Sequence, residues 1–451
     1  MKSNHLLLII LLTLSNFSKG SAQYKPIPID SFQIGFDLSV SKAILNRGAN
    51  YYYNGAKTDI YALLKNRQFN YGRVRIFHTP NGLSGVVNTL PYTIALAKSI
   101  KGAGLKLLLD FHYSDTWADP AAQTKPAAWQ SLSYALLCDS VYSYTKKVMD
   151  ALAANGIYPD MVQTGNEIDH GFLWPDGSAW NGSKPNYKNF STLLKYAIKG
   201  VRDADRGTTI PVMLHAATGG SASSSRIFMD SLLKYNVEFD VLGLSYYVWW
   251  HGLPAQLEAN LSMLNTRYNQ STIVVETSYS SDANANVPTN VVTKAQLPYP
   301  FSEQGQYDYL KYLYNLLSKY PKVKGIYYWG GDYIYAGDIG GSYFSLFNWQ
   351  GPAMKAVSAF YDVLGTGVEQ PQTMQNFSIV QTDANHITVN CNTLSMNYLL
   401  DIYDQAGRLI KTVRLSQGNN KIALYNIKNQ FLLCRITENS HTIWQKKLRL
   451  L

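Results

Sequence analysis

Eight times between Gln33 and about Leu364 a short β-rich run gives way to a longer stretch of helical periodicity, and this alternation limits the possible folds more than any other feature. The β-rich runs begin near Phe32 (FQIGFDLS), Tyr71 (YGRVRIF), Leu105 (LKLLLDF), Met161 (MVQT), Ile210 (IPVMLH), Phe239 (FDVLGLSYY), Thr272 (TIVVE) and Val323 (VKGIYYW). The clearest helical pattern, Ser133 to Ala153, sets Leu137, Val141, Tyr144, Val148 and Leu152 at three- and four-residue steps and stops at Asn155-Gly156. Further helices are expected over Asn189 to Val201, Ser224 to Tyr235, Pro254 to Tyr268 and Tyr307 to Ser318, with a last one over Pro352 to Leu364. Eight strands each followed by a helix predict an α/β fold of the closed (β/α)8 TIM-barrel kind rather than an open doubly wound sheet. No strand leads into a Gly-rich phosphate-binding fingerprint, since Gly219-Gly220 and Gly330-Gly331 lack the other positions, and this argues against a nucleotide cofactor.

A chain of 451 residues is too long for one ordinary core but suits a barrel plus a small module. Lys2, the apolar run Leu6 to Leu14 and the small-residue exit Gly20-Ser21-Ala22 read as a secretory signal over residues 1–22, and the run is too short to span a bilayer. The barrel then occupies residues 23–366, a Gly/Pro/Gln-rich linker 367–375, and a different kind of material 376–451. There HITVNC, YLLDIYD, GRLIKTVRL, NKIALYNI and FLLCRIT alternate between turn residues and predict a small antiparallel β-sandwich. With only Cys138, Cys391 and Cys434 present, stability rests on packing; Cys391 and Cys434 both point inward and either pair or remain buried thiols. The formal charge is +10, and nine Lys/Arg against four Asp/Glu in residues 372–451 place +5 of it in the module. These charges alternate along strands as a solvated face does, rather than forming the aromatic-interleaved stripe of a nucleic-acid binder. The expected product is an exported monomer whose partner is a polysaccharide, with no nucleic acid and no membrane insertion.

The polysaccharide reading comes from strand ends. Leu107 to Pro120 (LLLDFHYSDTWADP) is an apolar run that breaks into Asp, His, Tyr and Trp, as a buried strand does when it opens onto a site gripping polar rings. Val162 to Glu167 (VQTGNE) and Ile273 to Glu276 (IVVE) each end a strand on a glutamate. Cleaving a glycosidic bond needs two carboxyl groups flanking it, and Glu167 and Glu276 are the candidate pair. Asn166 precedes Glu167 and offers an amide to a sugar 2-hydroxyl, while Trp329, ending the eighth strand, offers a floor beneath the ring.

The segments LLLDFHYSDTWADP, VQTGNEIDHGFLWPDG, DVLGLSYYVWWHG, VETSYS and GFDLSVSKAI together resemble glycoside hydrolase family 53, the endo-β-1,4-galactanases, across the whole barrel. The resemblance implies that Glu167, ending the fourth strand, is the acid/base and Glu276, ending the seventh, the nucleophile of a retaining hydrolase, with carboxyl groups about 5 to 5.5 Å apart. It implies substrate-binding roles for Asp37, Arg75, His112, Trp117, Asn166, His215, Tyr246, Trp250 and Trp329. Arg75 corresponds to the arginine that holds the nucleophile, and Arg73, on the same strand face, is the alternative. His78-Thr79 and Gly330-Gly331-Asp332 depart from the family pattern, in loops expected to shape the outer cleft. The reaction requires no cofactor. Some bacterial relatives carry a structural calcium after the seventh strand, where this chain offers Asp282, Asn284 and Asn286 in what is otherwise an ordinary polar loop. Less specifically, YDQAGRLIKTVRL and the basic ending QKKLRLL resemble the sorting domains read by the type IX secretion system of Bacteroidetes. The Asn-x-Ser sequons, including Asn181 and Asn260, matter only in a host that glycosylates.

Overall fold

The computed structural model describes residues 24–364, 377–383, 385–391, 398–404, 408–425, 431–438 and 441–449. The expected signal segment and linker lie outside these residues. Eight parallel strands close a barrel in strict chain order: β1 (Gln33–Asp37), β2 (Tyr71–Ile76), β3 (Lys106–Phe111), β4 (Met161–Thr164), β5 (Val212–Ala216), β6 (Val241–Ser245), β7 (Ser271–Thr277) and β8 (Val323–Tyr328). Closure is made by β1, which pairs with β8 through Gly35 opposite Tyr327 and with β2 through Asp37 opposite Arg73. Gly35 is required there, because a Cβ would sit 1.9 Å from the Tyr327 ring.

Helices wrap the barrel after each strand: α1 (Ile60–Asn66), α2 (Leu90–Gly102), α3 (Tyr134–Ala154), α4 (Tyr187–Arg202), α5 (Ala222–Lys234), α6 (Pro254–Arg267), α7 (Glu303–Leu317) and α8 (Ala359–Val363). Ser133 caps α3, its hydroxyl accepting the Leu136 N–H, and Gly156 at φ +71° ends it as the sequence predicts. The last helix is shorter than expected. Asn348 N–H bonds to Pro352 O and Ala353 N–H to Tyr52 O, so residues from Pro352 are held extended against the Tyr51–Tyr53 hairpin and only a 3-10 turn, Lys355–Ser358, precedes α8.

The barrel interior is layered. Tyr71, Leu108, Met161, Met213, Val241, Ile273 and Tyr327 fill an apolar lower layer. Two residues further along the same strands, and so on the same face, come Arg73, Asp110, Gln163 and His215, all buried. Alternation thus lifts a polar layer onto the C-terminal mouth. At the opposite end buried Asp240 accepts Tyr24 Oη (2.5 Å), Ile27 N (2.7 Å) and Arg202 Nη2 (2.6 Å), which ties the N-terminal segment across the barrel floor.

The C-terminal module is the expected antiparallel sandwich. Strands β9 (Phe377–Asp383), β10 (His386–Cys391), β11 (Tyr398–Tyr403), β12 (Leu409–Arg414), β13 (Gly418–Ala423), β14 (Phe431–Glu438) and β15 (His441–Arg449) form a sheet β9-β10-β13 and a sheet β12-β11-β14-β15. Ile387, Val389, Leu400, Ile402 and Ile436 build its core, and Cys391 and Cys434 are buried there on different sheets. Among the described residues no helix is long and apolar enough to cross a membrane. Of the two sequon asparagines, Asn181 is exposed, whereas Asn260 is buried and its amide donates to Thr218 O and Gly219 O, which leaves it no room for a glycan.

Candidate active site

Over the C-terminal mouth lies a cleft of about 1100 Å³, lined among others by Arg73, His112, Asn166, Glu167, Glu276 and Trp329. Glu276 reaches it through an irregularity in β7. Leu244 pairs with Val274 but Ser245 pairs with Glu276, so β7 holds one extra residue at that point. Val275 packs in the barrel interior and Val274 in the outer core, so strict alternation would turn Glu276 outward. The bulge re-aims it into the cleft. Glu167 arrives differently, at φ +48° in the left-handed region, two residues after Gly165 at φ +98°. One carboxylate oxygen of Glu167, one of Glu276 and a ring nitrogen of His215 all lie within 4.8 Å of one another.

The two carboxylates have unlike surroundings. Glu276 Oε1 accepts from Arg73 Nη1 at 2.7 Å and Oε2 from Tyr247 Oη at 3.0 Å. Glu167 Oε1 accepts from Ser245 Oγ at 2.6 Å, and among the described residues no cation bonds Glu167. Burial and then the charge of Glu276 push Glu167 well above the usual carboxylate range, and Ser245 only partly offsets this. Burial raises Glu276 too, but Arg73 pulls it back, so Glu276 is the first of the pair to ionise. Arg73 is buried and also bonds Asp110 (2.9 Å), Asn166 Oδ1 (2.8 Å) and Asp37 (3.3 Å). Burial works against its charge, yet Asp110, Glu276 and Asp37 together hold it protonated.

Arg73, then, and not Arg75, holds Glu276. Arg75 sits one step nearer the rim, bonded to Asp37 (3.3 Å) and Tyr333 Oη (3.1 Å), with its guanidinium 4.2 Å from the Trp117 ring centre. Trp117 meets Trp329 edge-on at 6.3 Å, and the two indoles make an aromatic wall. His112 lines the cleft, its Nδ1 accepting the Ala118 N–H and its Nε2 3.2 Å from Asp110. Asn166 lines it with Nδ2 donating to Ala118 O at 2.8 Å, and among the described residues its second amide hydrogen has no acceptor. Trp250 stands at the rim, 55 % exposed.

Three expected contacts lie behind the cleft wall instead. Asp37 is buried under the two arginines, and His215 is wholly buried between Asn166 and Ser245. Tyr246 points into the outer core, where its hydroxyl donates to Gly252 O at 2.9 Å. Strand alternation is the reason: Ser245 and Tyr247 face inward, so the residue between them faces out. Counting that alternation from Gly243 picks out Tyr247, which the sequence reading passed over together with Ser245 and Gln163. The departing loops also lie off the cleft: His78 packs 4.8 Å from the rings of Trp129 and Tyr144, and Asp332 is fully buried.

In the loop after β7, Asp282 Oδ1 accepts the Asn284 N–H at 2.7 Å and the Lys294 ammonium bonds Ala283 O at 2.7 Å, and among the described residues Asp282 belongs to no group of three His, Cys, Asp or Glu side chains close enough to share an ion.

The family model for Glycosyl hydrolase family 53 matches residues 33–378. The endo-beta-1,4-galactanase of Bacillus subtilis is 33% identical over 313 residues, covering 67% of this chain and 70% of its own. The arabinogalactan endo-beta-1,4-galactanase A of Aspergillus niger is 30% identical over 343 residues, covering 74% and 92%. Among solved structures, the GH53 catalytic domain of Ignisphaera aggregans superposes with a TM-score of 0.67 at 34% identity, covering 75% of this chain and 99% of that one. A fungal beta-1,4-galactanase gives 0.64 at 29%, covering 73% and 99%. With the matched span taking in every barrel strand and both strand-end glutamates, the chain belongs to glycosyl hydrolase family 53.

Proposed function

We propose that this glycoside hydrolase is an exported, retaining endo-β-1,4-galactanase acting on the galactan and type I arabinogalactan side chains of pectin, with Glu167 as acid/base and Glu276 as nucleophile. The observation that carries the mechanism is the unlike pair: carboxylate oxygens within 4.8 Å, one bonded to a guanidinium and the other not. That spacing supports a covalent intermediate over the wider gap that would admit an attacking water. Arg73 and Tyr247 each hold one oxygen of Glu276, keeping it ionised and aimed at the anomeric carbon. Glu167, whose proton is held more tightly through burial and its neighbour's charge, delivers it to the departing oxygen. Water then attacks the glycosyl–enzyme with Glu167 as base, and configuration is retained. The free hydrogen of Asn166 Nδ2 is available to the sugar 2-hydroxyl, a bond that strengthens as charge develops.

The substrate rests on the names of the relatives and on the aromatic wall of Trp117 and Trp329. Export rests on the N-terminal pattern and on the likeness of the sandwich to sorting domains. It is tested by N-terminal sequencing of protein recovered outside the producing cell, which should begin at Gln23. The activity is tested by reducing-end release from linear β-1,4-galactan by wild type and Glu276→Gln, with xylan, mannan and cellulose as controls. Galactan-specific release abolished by the substitution is the expected result. Release from another polymer alone would overturn the substrate, and none from any of the four would overturn the enzyme reading.

A further inference from the structure

A closed hydrogen-bond circuit runs from the backbone of Glu167 to its own carboxylate. Glu167 N–H donates to His215 Nδ1 (3.3 Å), where Gln163 Nε2 also converges at 3.1 Å. Gln163 has Asp110 Oδ1 (2.6 Å) and Gly165 O (3.0 Å) for its two hydrogens, but a backbone N–H can only donate, so Glu167 fixes Nδ1 as the acceptor, while Asn166 Oδ1, 3.0 Å away, accepts from Arg73 at 2.8 Å. The imidazole proton is therefore on Nε2, which lies 2.8 Å from Ser245 Oγ. Ser245 receives that proton on a lone pair, so its own single proton goes to Glu167 Oε1 at 2.6 Å. His215 is wholly buried, and burial followed by the nearby Arg73 charge disfavours a second proton on the ring. Among the described residues no donor reaches Glu167 Oε2.

We propose that Ser245, oriented by His215, is a positioning residue for the acid/base: it keeps Oε1 an acceptor, so that the transferable proton of Glu167 rides on Oε2, and it stabilises the carboxylate needed in the second step. The circuit stands on geometry, and only its use in glycosyl transfer rests on the function proposed above. The other charged or titratable groups that face Glu167 are Glu276 from β7, Arg73 from β2, Asp169 and His170 on its own loop, and Tyr247 and His251 after β6. Ser245→Ala leaves all of these in place.

The test is a ¹³C NMR titration of the Glu167 carboxyl, assigned with Glu167→Gln, in wild type, Ser245→Ala and Ser245→Thr. A hydrogen bond to the ionised form lowers a pKa, so its loss moves the titration upward. Ser245→Ala should titrate about one pH unit higher, the size of a lost bond to a charged group. The alkaline limb of kcat/KM should move with it, and Ser245→Thr should match wild type. A folded Ser245→Ala that titrates as wild type does, or Ser245→Thr behaving as the alanine variant, overturns the proposal. If the alanine variant does not fold, Ser245→Cys, a weaker donor, decides: an upward shift supports the circuit and an unchanged titration sinks it. Wild type silent on every polymer would sink the functional reading while the titration still decides the circuit.

Discussion

Arg73→Met removes the cation at the centre of the site and keeps nearly the same volume, so its effect can be worked from the contacts. Arg73 is 1 % exposed and bonds Glu276, Asp110 and Asp37. In the variant Glu276 keeps Tyr247 and Asp37 keeps Arg75, but Asp110, wholly buried, loses the permanent cation that Arg73 supplies. In the wild type burial pushes Asp110 up, and Arg73 with His112 outweighs this to hold it below the usual carboxylate range. Breaking such a buried pair costs about 3–5 kcal/mol. The variant can escape by protonating Asp110, which from a reference pKa of about 3.9 costs about 4 kcal/mol at pH 7 and about 1.5 kcal/mol at pH 5. The sign follows: a carboxyl whose folded pKa is raised loses stability as pH climbs past its unfolded value, so the penalty shrinks toward acid. Unfolding entropy of about 2.1 cal/mol/K per residue over roughly 340 barrel residues makes about 0.7 kcal/mol per degree. Calorimetry should therefore show Tm about 6 °C below wild type at pH 7 and only about 2 °C below at pH 5. Galactan hydrolysis should fall to background at pH 7, since Glu276 loses the cation that favours its ionised form. Equal drops at both pH values would refute the argument, as would a loss below about 2 °C at pH 7.

Tyr247→Phe should lower kcat/KM about tenfold or more by releasing Glu276 Oε2, whereas Tyr246→Phe, which loses only a core bond to Gly252 O, should cost about 1 kcal/mol of stability and leave kcat/KM within about twofold. Steady-state kinetics on the pair distinguishes the two neighbouring tyrosines, and the reverse pattern would mean the strand face is misassigned. Gly35→Ala should destabilise the barrel by about 3 kcal/mol or more, because its Cβ falls 1.9 Å from Tyr327, and Gly35→Ala/Tyr327→Leu should recover part of the loss in denaturant titrations. Trp250→Ala should raise KM with kcat unchanged, since Trp250 is a rim residue, while Trp329→Ala in the aromatic wall of the cleft should lower kcat; a kcat loss in the first would contradict its rim position.

The barrel and the glutamate pair were legible in the chain alone because both are local patterns. A period of two followed by a period near 3.6, repeated eight times, requires strands and helices whatever surrounds them, and chain order sets the strand count that puts Glu167 just past the fourth strand and Glu276 near the end of the seventh. The same local logic separated the sandwich from the barrel. Tertiary structure alone decided which of several equivalent residues act. Arg73 and Arg75 share a strand face, and only the pairing of β2 with β1 places Arg73 level with the carboxylates and Arg75 nearer the rim. Glu276 enters the cleft because of a bulge between β6 and β7, which depends on two strands at once. Ser245 and His215 join Glu167 only through contacts between residues 30 to 78 positions apart, which no window along the chain contains. Side-chain type and periodicity are properties of one segment, whereas the depth of a charge in the barrel and the direction of a proton belong to several segments brought together.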